Sequence, residues 1–267
     1  MVRPPVPDVR VERADWVTDA LASLNGRVES VVPRGYPACA RILHPAEDSG
    51  GARVTWGEVA ASTGRELHPV AQFTSVAGRR ASHAHAEWAG RDPEQGTLDV
   101  DQLRALSRIL SDHTATGDRC WLTVWEGWGN LPSRWRRTAP RIVQPYRAYY
   151  LFERMVDEVV EFAVEIARLH GDSPSFSPLT STSAAPPTST VPDSPRDPAP
   201  VFAQSPSQWW PQDRGWFVGS EIDVDSTLVG GSESLVKQIV TDPHLEAFRV
   251  SHRGNLTHLG DTVNPRS

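Results

Sequence analysis

"WFVGSEIDVDSTLVGG", Trp216–Gly231, admits two incompatible readings. An apolar run ending in spaced carboxylates is how a buried parallel strand delivers acids to a catalytic edge, and such a strand is apolar on both faces. This one carries Ser220 and Glu221 at its middle. Alternation gives a better account. Trp216, Val218, Ile222 and Val224 fall on one side, and Phe217, Glu221, Asp223 and Asp225 on the other. That is the pattern of an antiparallel strand with one solvated face. Ser232 then stands where a helix N-cap is needed, before Leu235, Val236 and Ile239 at helical spacing, and "LEAFRV" (245–250) closes as a strand. A strand–helix–strand unit of about forty residues seldom supports its own core. It is expected to dock on the earlier part of the chain and add a strand or two to a shared sheet.

Working upstream, residues 171–206 are rich in Pro, Ser and Thr and nearly free of large apolar side chains. Such a segment buries too little surface to offset its ordering entropy, so the sequence predicts a disordered insert. Before it, the spacing of Val159, Phe162, Ala163 and Ile166 predicts a helix from about Met155 to Leu169, with Glu158, Glu161 and Glu165 outward. "AYYLFE" (148–153) and "CWLTVWEGWG" (120–129) read as strands. Thr55 with Glu58, and Asp99 with Gln102, read as capping boxes, the first opening a helix that stops at Gly64. "RVESVV" (27–32) and "ACARIL" (38–43) read as strands either side of a Pro/Gly turn, and 68–96 as mostly loop. From Asp15 a short helix sets Val17, Ala20, Leu21 and Leu24 on one stripe, with Asn25-Gly26 as its stop. The expected organisation is a disordered 1–12, a main body 13–170, the insert 171–206, a completing segment 207–250 and a tail 251–267. The fold class is α+β, a mostly antiparallel sheet with helices on one face of a single body.

The 267 residues carry a net charge of −6 with 39% hydrophobic and 22% charged side chains, enough for a sizeable core. An acidic balance argues against nucleic acid as the general partner. Lys237 is the only lysine among an arginine-rich basic set, a codon-usage signature before it is a functional one. Cys39 and Cys120 are too few for a disulfide framework and are expected as buried thiols. No apolar stretch approaches a membrane span, and the expectation is a cytoplasmic protein.

Chemistry-bearing patterns are sparse. His83, His85 and Glu87 alternate as metal ligands do, without a cysteine to reinforce them. Arg134, Arg136 and Arg137 flank Trp135, a combination that stacks on bases and contacts phosphates, in what reads as a solvated loop. Ser234 and Lys237 fit S-x-x-K without a partner motif. Counted as a calcium loop from Asp223, position six is Leu228 and position twelve Ser234, neither of which suits. The densest aromatic and charged cluster is Trp209, Trp210, Asp213, Arg214 and Trp216. Such clusters cover core edges more often than they wall a ligand. If the protein has a site, the expectation sets it where that cluster meets Glu221, Asp223 and Asp225.

Asp223-Val-Asp225-Ser-Thr227-Leu228 resembles the D-x-D-x-T signature of the haloacid-dehalogenase-like phosphatases. The resemblance implies Asp223 as nucleophile, Asp225 as general acid and a bound magnesium. In that family the motif closes the first strand, whereas here it stands late in the sequence. "SVVPRGYPACARILHP" and "WWPQDRGWFVGSEIDVDSTLVGGSESLVKQIVTDPHLEAF" resemble a family of actinobacterial proteins with which no activity is associated, and the closing block is more loosely similar to the Smi1/Knr4-type immunity and regulatory proteins. Neither resemblance implies a catalytic residue. The expectation is a non-catalytic binding or adaptor protein without a cofactor, taking a protein or small-ligand partner. The alternatives are a divalent-metal-assisted hydrolase using Asp223 and Asp225, and a nucleic-acid contact through the three arginines.

Overall fold

The Trp216–Gly231 stretch is a hairpin rather than one long strand. In the computed structural model, which describes residues 5–22, 25–78, 87–169 and 203–264, Phe217–Gly219 and Ser226–Gly231 pair antiparallel and 220–225 connect them. The Val224 amide donates to the Glu221 carbonyl, and the Val224 carbonyl accepts from Gly96, so the connection turns instead of extending the strand. Gly230 suits its place because Val32 lies against the backbone there, and a Cβ would come within 2.5 Å of that side chain.

The strands are β1 (Ala38–Leu43), β2 (Ala46–Glu47), β3 (Arg53–Val54), β4 (Cys120–Trp125), β5 (Ile142–Val143), β6 (Ala148–Arg154), β7 (Gln208–Pro211), β8 (Phe217–Gly219), β9 (Ser226–Gly231) and β10 (Ala247–Val250). Eight of them form one sheet in the order β10-β1-β9-β8-β7-β4-β6-β5, every pairing antiparallel, while β2 and β3 make a separate hairpin. The segment after the insert therefore contributes four strands, more than the strand or two expected. Three of them, β7 to β9, fill the middle of the sheet between β1 and β4.

The helices are α1 (Asp15–Ala20), α2 (Trp56–Thr63), α3 (Phe73–Val76), α4 (Val100–Ser111), α5 (Ser133–Thr138), α6 (Val159–Ala167) and α7 (Glu233–Thr241). The period-two alternation of the strands divides their side chains between two faces. Ala40, Ile42, Leu122, Tyr150, Phe152, Trp209, Val218 and Val229 pack under α4, α6 and α7 in the main core. On the opposite face, Trp121, Tyr149, Leu151, Trp210 and Phe217 are covered by the N-terminal segment through Ala14 and Val17. Leu43 and Ala46 lead into a third cluster around Trp56 and Phe73 of α2 and α3. Cys39 and Cys120 are buried free thiols, and burial pushes both up to about 12. No helix among the described residues is long and apolar enough to cross a membrane.

Several local expectations are corrected. "RVESVV" is a 3-10 turn at Val28–Ser30, because Val28 and Val32 are buried together one turn apart. The first helix ends at Ala20, where Leu21 turns extended; Leu24 lies outside the described residues. Ser133–Thr138 is helix α5, not loop, because Trp135 is drawn into the core against Tyr150 and Phe152. Thr55 and Glu58 form the expected capping box, and Gly64 ends α2 at φ 65°. Asp99 caps α4, but the Gln102 amide reaches inward to the Leu43 carbonyl instead of completing a box. The predicted Met155–Leu169 helix is a 3-10 turn, Val156–Glu158, followed by α6.

The ends are better ordered than expected. Pro5 and Pro7 are buried, and the Asp8 amide donates to the Leu151 carbonyl at 2.7 Å, beyond the two residues of β6 that β5 pairs. Residues 203–206 are buried, shortening the predicted insert; 170–202 lie outside the described residues. The tail is a strap through Asn264. Asp261, 1% exposed, accepts from His68 at 2.9 Å and from both the backbone and side-chain nitrogens of Asn264.

Candidate functional site

β1, β8 and β9 reach the same end of the sheet, and the residues just past their ends build a buried polar chain. His44 follows β1, with its backbone amide donating to the Asp225 carbonyl and its ring only 1% exposed. Nδ1 lies 2.7 Å from the Glu94 carbonyl oxygen and Nε2 2.9 Å from Thr227 Oγ1. Thr227 Oγ1 is in turn 2.7 Å from Ser220 Oγ. A carbonyl only accepts, so Nδ1 carries the ring proton and Nε2 accepts from the Thr227 hydroxyl. The hydrogen of the Thr227 hydroxyl is then committed to His44, and its oxygen accepts from Ser220. The direction of the chain is thus set throughout: Ser220 to Thr227 to His44 to the Glu94 backbone. Desolvation, reinforced by Arg41 nearby, pushes the imidazole down to about 4, so it is neutral at physiological pH.

Beside His44 opens a cavity of about 530 Å³. Pro45, Leu98, Val100 and Ala203 give it an apolar lining. Its polar lining is Glu47, Arg53, Arg91, Asp92, Glu94, Asp99 and Thr97. Arg91 pairs with Glu47 at 2.9 Å, and Arg53 pairs with Asp99 at 2.5 Å and with Asp101 at 3.2 Å. Glu94 has its carboxyl pushed up, by desolvation first and by Glu47 and Asp99 next. The volume lies in the range of about 300–1,000 Å³ that small-molecule pockets occupy.

A second, far smaller cavity of about 40 Å³ lies at the Ser220 end of the chain. Its walls include Tyr149, Ser207 and the buried amides of Gln144 and Gln208, which bond each other reciprocally at 3.1 and 3.0 Å. It is water-sized rather than ligand-sized.

Deeper in the fold, Arg41 is completely buried between β1 and α2. It donates to Ser226 Oγ at 2.9 Å and the Ala71 carbonyl at 2.8 Å, faces Asp225 at 3.5 Å, and lies over the Trp56 ring. Burial pushes the Asp225 carboxyl up against the pull of Arg41. A buried guanidinium needs both countercharge and hydrogen-bond acceptors, and Asp225, Ser226 and the Ala71 carbonyl supply them.

The residues singled out by sequence do not converge on one place. Trp209 and Trp216 meet edge to face in the main core, and Trp216 Nε1 donates to the Leu110 carbonyl. Trp210 stacks on Phe217 on the opposite face of the sheet. Asp213 organises a turn, accepting from Thr114, Ala115 and Gly215; desolvation pushes its carboxyl up, but these hydrogen bonds together outweigh it and leave the carboxyl below the usual range. Arg214, at φ 57°, lies over Trp16. Glu221 and Asp223 both hold Arg147, at 3.0 and 2.7 Å, whereas Asp225 turns inward to Arg41. The two aspartates of the phosphatase-like motif therefore serve different arginines, and Asp223 is largely solvated. His83 and His85 lie outside the described residues, and Glu87 pairs with Arg65 at 3.2 Å. Among the described residues, no three His, Cys, Asp or Glu side chains group as metal ligands would.

Sequence reasoning missed His44, Glu94, Thr227 and Ser220. The one local signal was His44-Pro45 directly after the wholly apolar end of "ACARIL", a polar group with no evident route to solvent. Compared with protein-family models, curated proteins and solved structures, the chain finds no match.

Proposed function

We propose that this is a non-catalytic binding protein whose ligand is a small molecule held in the cavity beside His44. The observation that carries the reading is the cavity itself: about 530 Å³ with an apolar lining, a polar ring and a histidine wall locked by hydrogen bonds. Small-molecule sites are concave and largely preformed; this one joins an apolar wall of Pro45, Leu98, Val100 and Ala203 to a larger set of polar and charged groups. Both nitrogens of His44 are engaged and its basicity is depressed, which leaves it a poor general base. That favours binding over turnover. The divergence of Asp223 and Asp225 onto separate arginines weighs against the hydrolase alternative. With Trp135 buried, the α5 arginines lack the ring that base stacking would need. The resemblance to the actinobacterial family adds no residue role.

The test is a fragment screen of mixed charge against the 15N-labelled protein. Hits should shift the amides of His44 and Thr97 to Val100 saturably, and Val100→Trp, which fills the half-exposed mouth, should abolish them. Hits that cluster elsewhere, or a screen in which Val100→Trp changes nothing, overturn the reading.

A further inference from the structure

The small cavity at the Ser220 end of the buried chain is walled by hydroxyls whose bonding can be followed atom by atom. Tyr149 is 4% exposed, and its ring packs with Leu151, Trp210 and Phe217 on the back of the sheet. The side chain lines the cavity, and among the described residues its hydroxyl has no hydrogen-bond partner. Burial pushes that phenol up, and the charges that act on it next, Glu221 and Arg147, line the same cavity. A buried hydroxyl without a partner is costly, so such groups are nearly always satisfied by protein or by ordered water. Ser207 is buried and lines the cavity as well. Its oxygen accepts from the Trp125 amide at 3.1 Å, and its own hydrogen has no acceptor among the described residues. Ser220 Oγ is the opposite case. Its hydrogen is committed to Thr227, which leaves it only lone pairs to offer.

We infer that this cavity is a site for at least one ordered water, which accepts from Tyr149 and Ser207 and donates to Ser220 Oγ. The size fits, since about 40 Å³ admits roughly one to three waters and no organic molecule of ordinary size. The wall asks for a group that accepts and donates at once. Water does both, whereas a metal cation or a halide does neither or only one. Arg147 and Glu221 pair with each other at 3.0 Å, so the wall draws neither sign of ion. Such a water is independent of whatever the larger cavity holds. It lengthens the chain to His44 by one donor, so that the fixed direction runs from water to Ser220 to Thr227 to Nε2 and joins one cavity to the other.

The test is oxygen-17 relaxation dispersion of water on the full chain at neutral pH, compared between variants. The wild-type protein should hold water for longer than the molecule takes to tumble. Removing both donors in the Tyr149→Phe, Ser207→Ala double variant should lower the dispersion amplitude by at least one water. Tyr149→Phe alone deletes an oxygen that no protein group bonds, so it should leave the fold intact while shortening the residence time at least tenfold. Val100→Trp, in the larger cavity, should leave the amplitude unchanged. An absence of long-lived water in the wild-type protein overturns the inference. So does an amplitude that the double variant leaves untouched, or one that Val100→Trp removes instead. Should the double variant fail to fold, an unaltered residence time in Tyr149→Phe is by itself enough to overturn it.

Discussion

His44 carries more of the structural logic than any other single side chain. Its folded-state pKa is depressed from an ordinary 6.5 to about 4. Between those values the unfolded chain takes up a proton that the folded state refuses. The histidine's contribution is therefore intact above pH 6.5 and declines as pH falls towards 4, by about 3 kcal/mol over the window. Bulk denaturation would blur this. Glu94, Asp225 and Glu246 have carboxyls pushed up by burial, and they favour the folded state as pH falls. A site-resolved imidazole titration isolates the histidine: Nδ1 should stay protonated and Nε2 bare down to about pH 4. A ring titrating near 6.5 would contradict the buried chain. None of this was visible in the sequence, because the ring's partners stand 50 residues away at Glu94 and 183 away at Thr227. A lone histidine after a strand has no periodicity to betray it.

Elements were legible in proportion to how locally they are determined. The Thr55–Glu58 box and the Ser232 cap were read correctly, since each acts within one turn. The same start of α2 also receives Glu246, whose two carboxylate oxygens accept from Trp56 and Gly57 at 2.7 and 2.8 Å; that distant cap left no local trace. The C-terminal strap was missed for a similar reason. Its anchor is one buried carboxylate, with its pKa drawn down to about 2 by Asn264 and His68 despite burial. Asp261→Asn keeps the shape but removes the charge and turns an acceptor into a donor facing donors. The loss should be about 2–3 kcal/mol in chemical denaturation, with amide exchange rising first in 255–264 and around His68. An unchanged exchange pattern would show that the strap is held by something else. Conversely, the 3-10 turn at Val28 and helix α5 were misread because a tertiary anchor, Val32 in one case and Trp135 in the other, overrode local propensity.

At the scale of the molecule, the antiparallel class followed from the alternation of strand residues, but the strand order did not. Pattern shows which face a side chain takes and is silent on which strand lies next door. The late strands were expected beside an existing sheet, and they turn out to be its middle. β1 pairs only with β9 and β10, and β4 reaches the β1 side only through β7, β8 and β9. A fragment of residues 5–169 should therefore give poorly dispersed spectra and no cooperative melt. Co-expression with a second fragment, 203–264, should restore both. A 5–169 fragment that melts cooperatively by itself would refute the dependence. The same topology explains why the candidate site escaped the sequence: His44 comes from the first part of the chain, Thr227 and Ser220 from the last.

Strand order also has a consequence for biosynthesis. The ribosome delivers β1 and the paired β4 and β6 long before the strands that join them, so Trp121, Tyr150 and Phe152 emerge while the middle of the sheet is still missing. The nascent polypeptide must keep these rings from other partners until β9 and β10 have left the exit tunnel. Completion of the sheet thus waits for the late strands, and chaperones that shelter exposed aromatic surface should engage the chain throughout that interval.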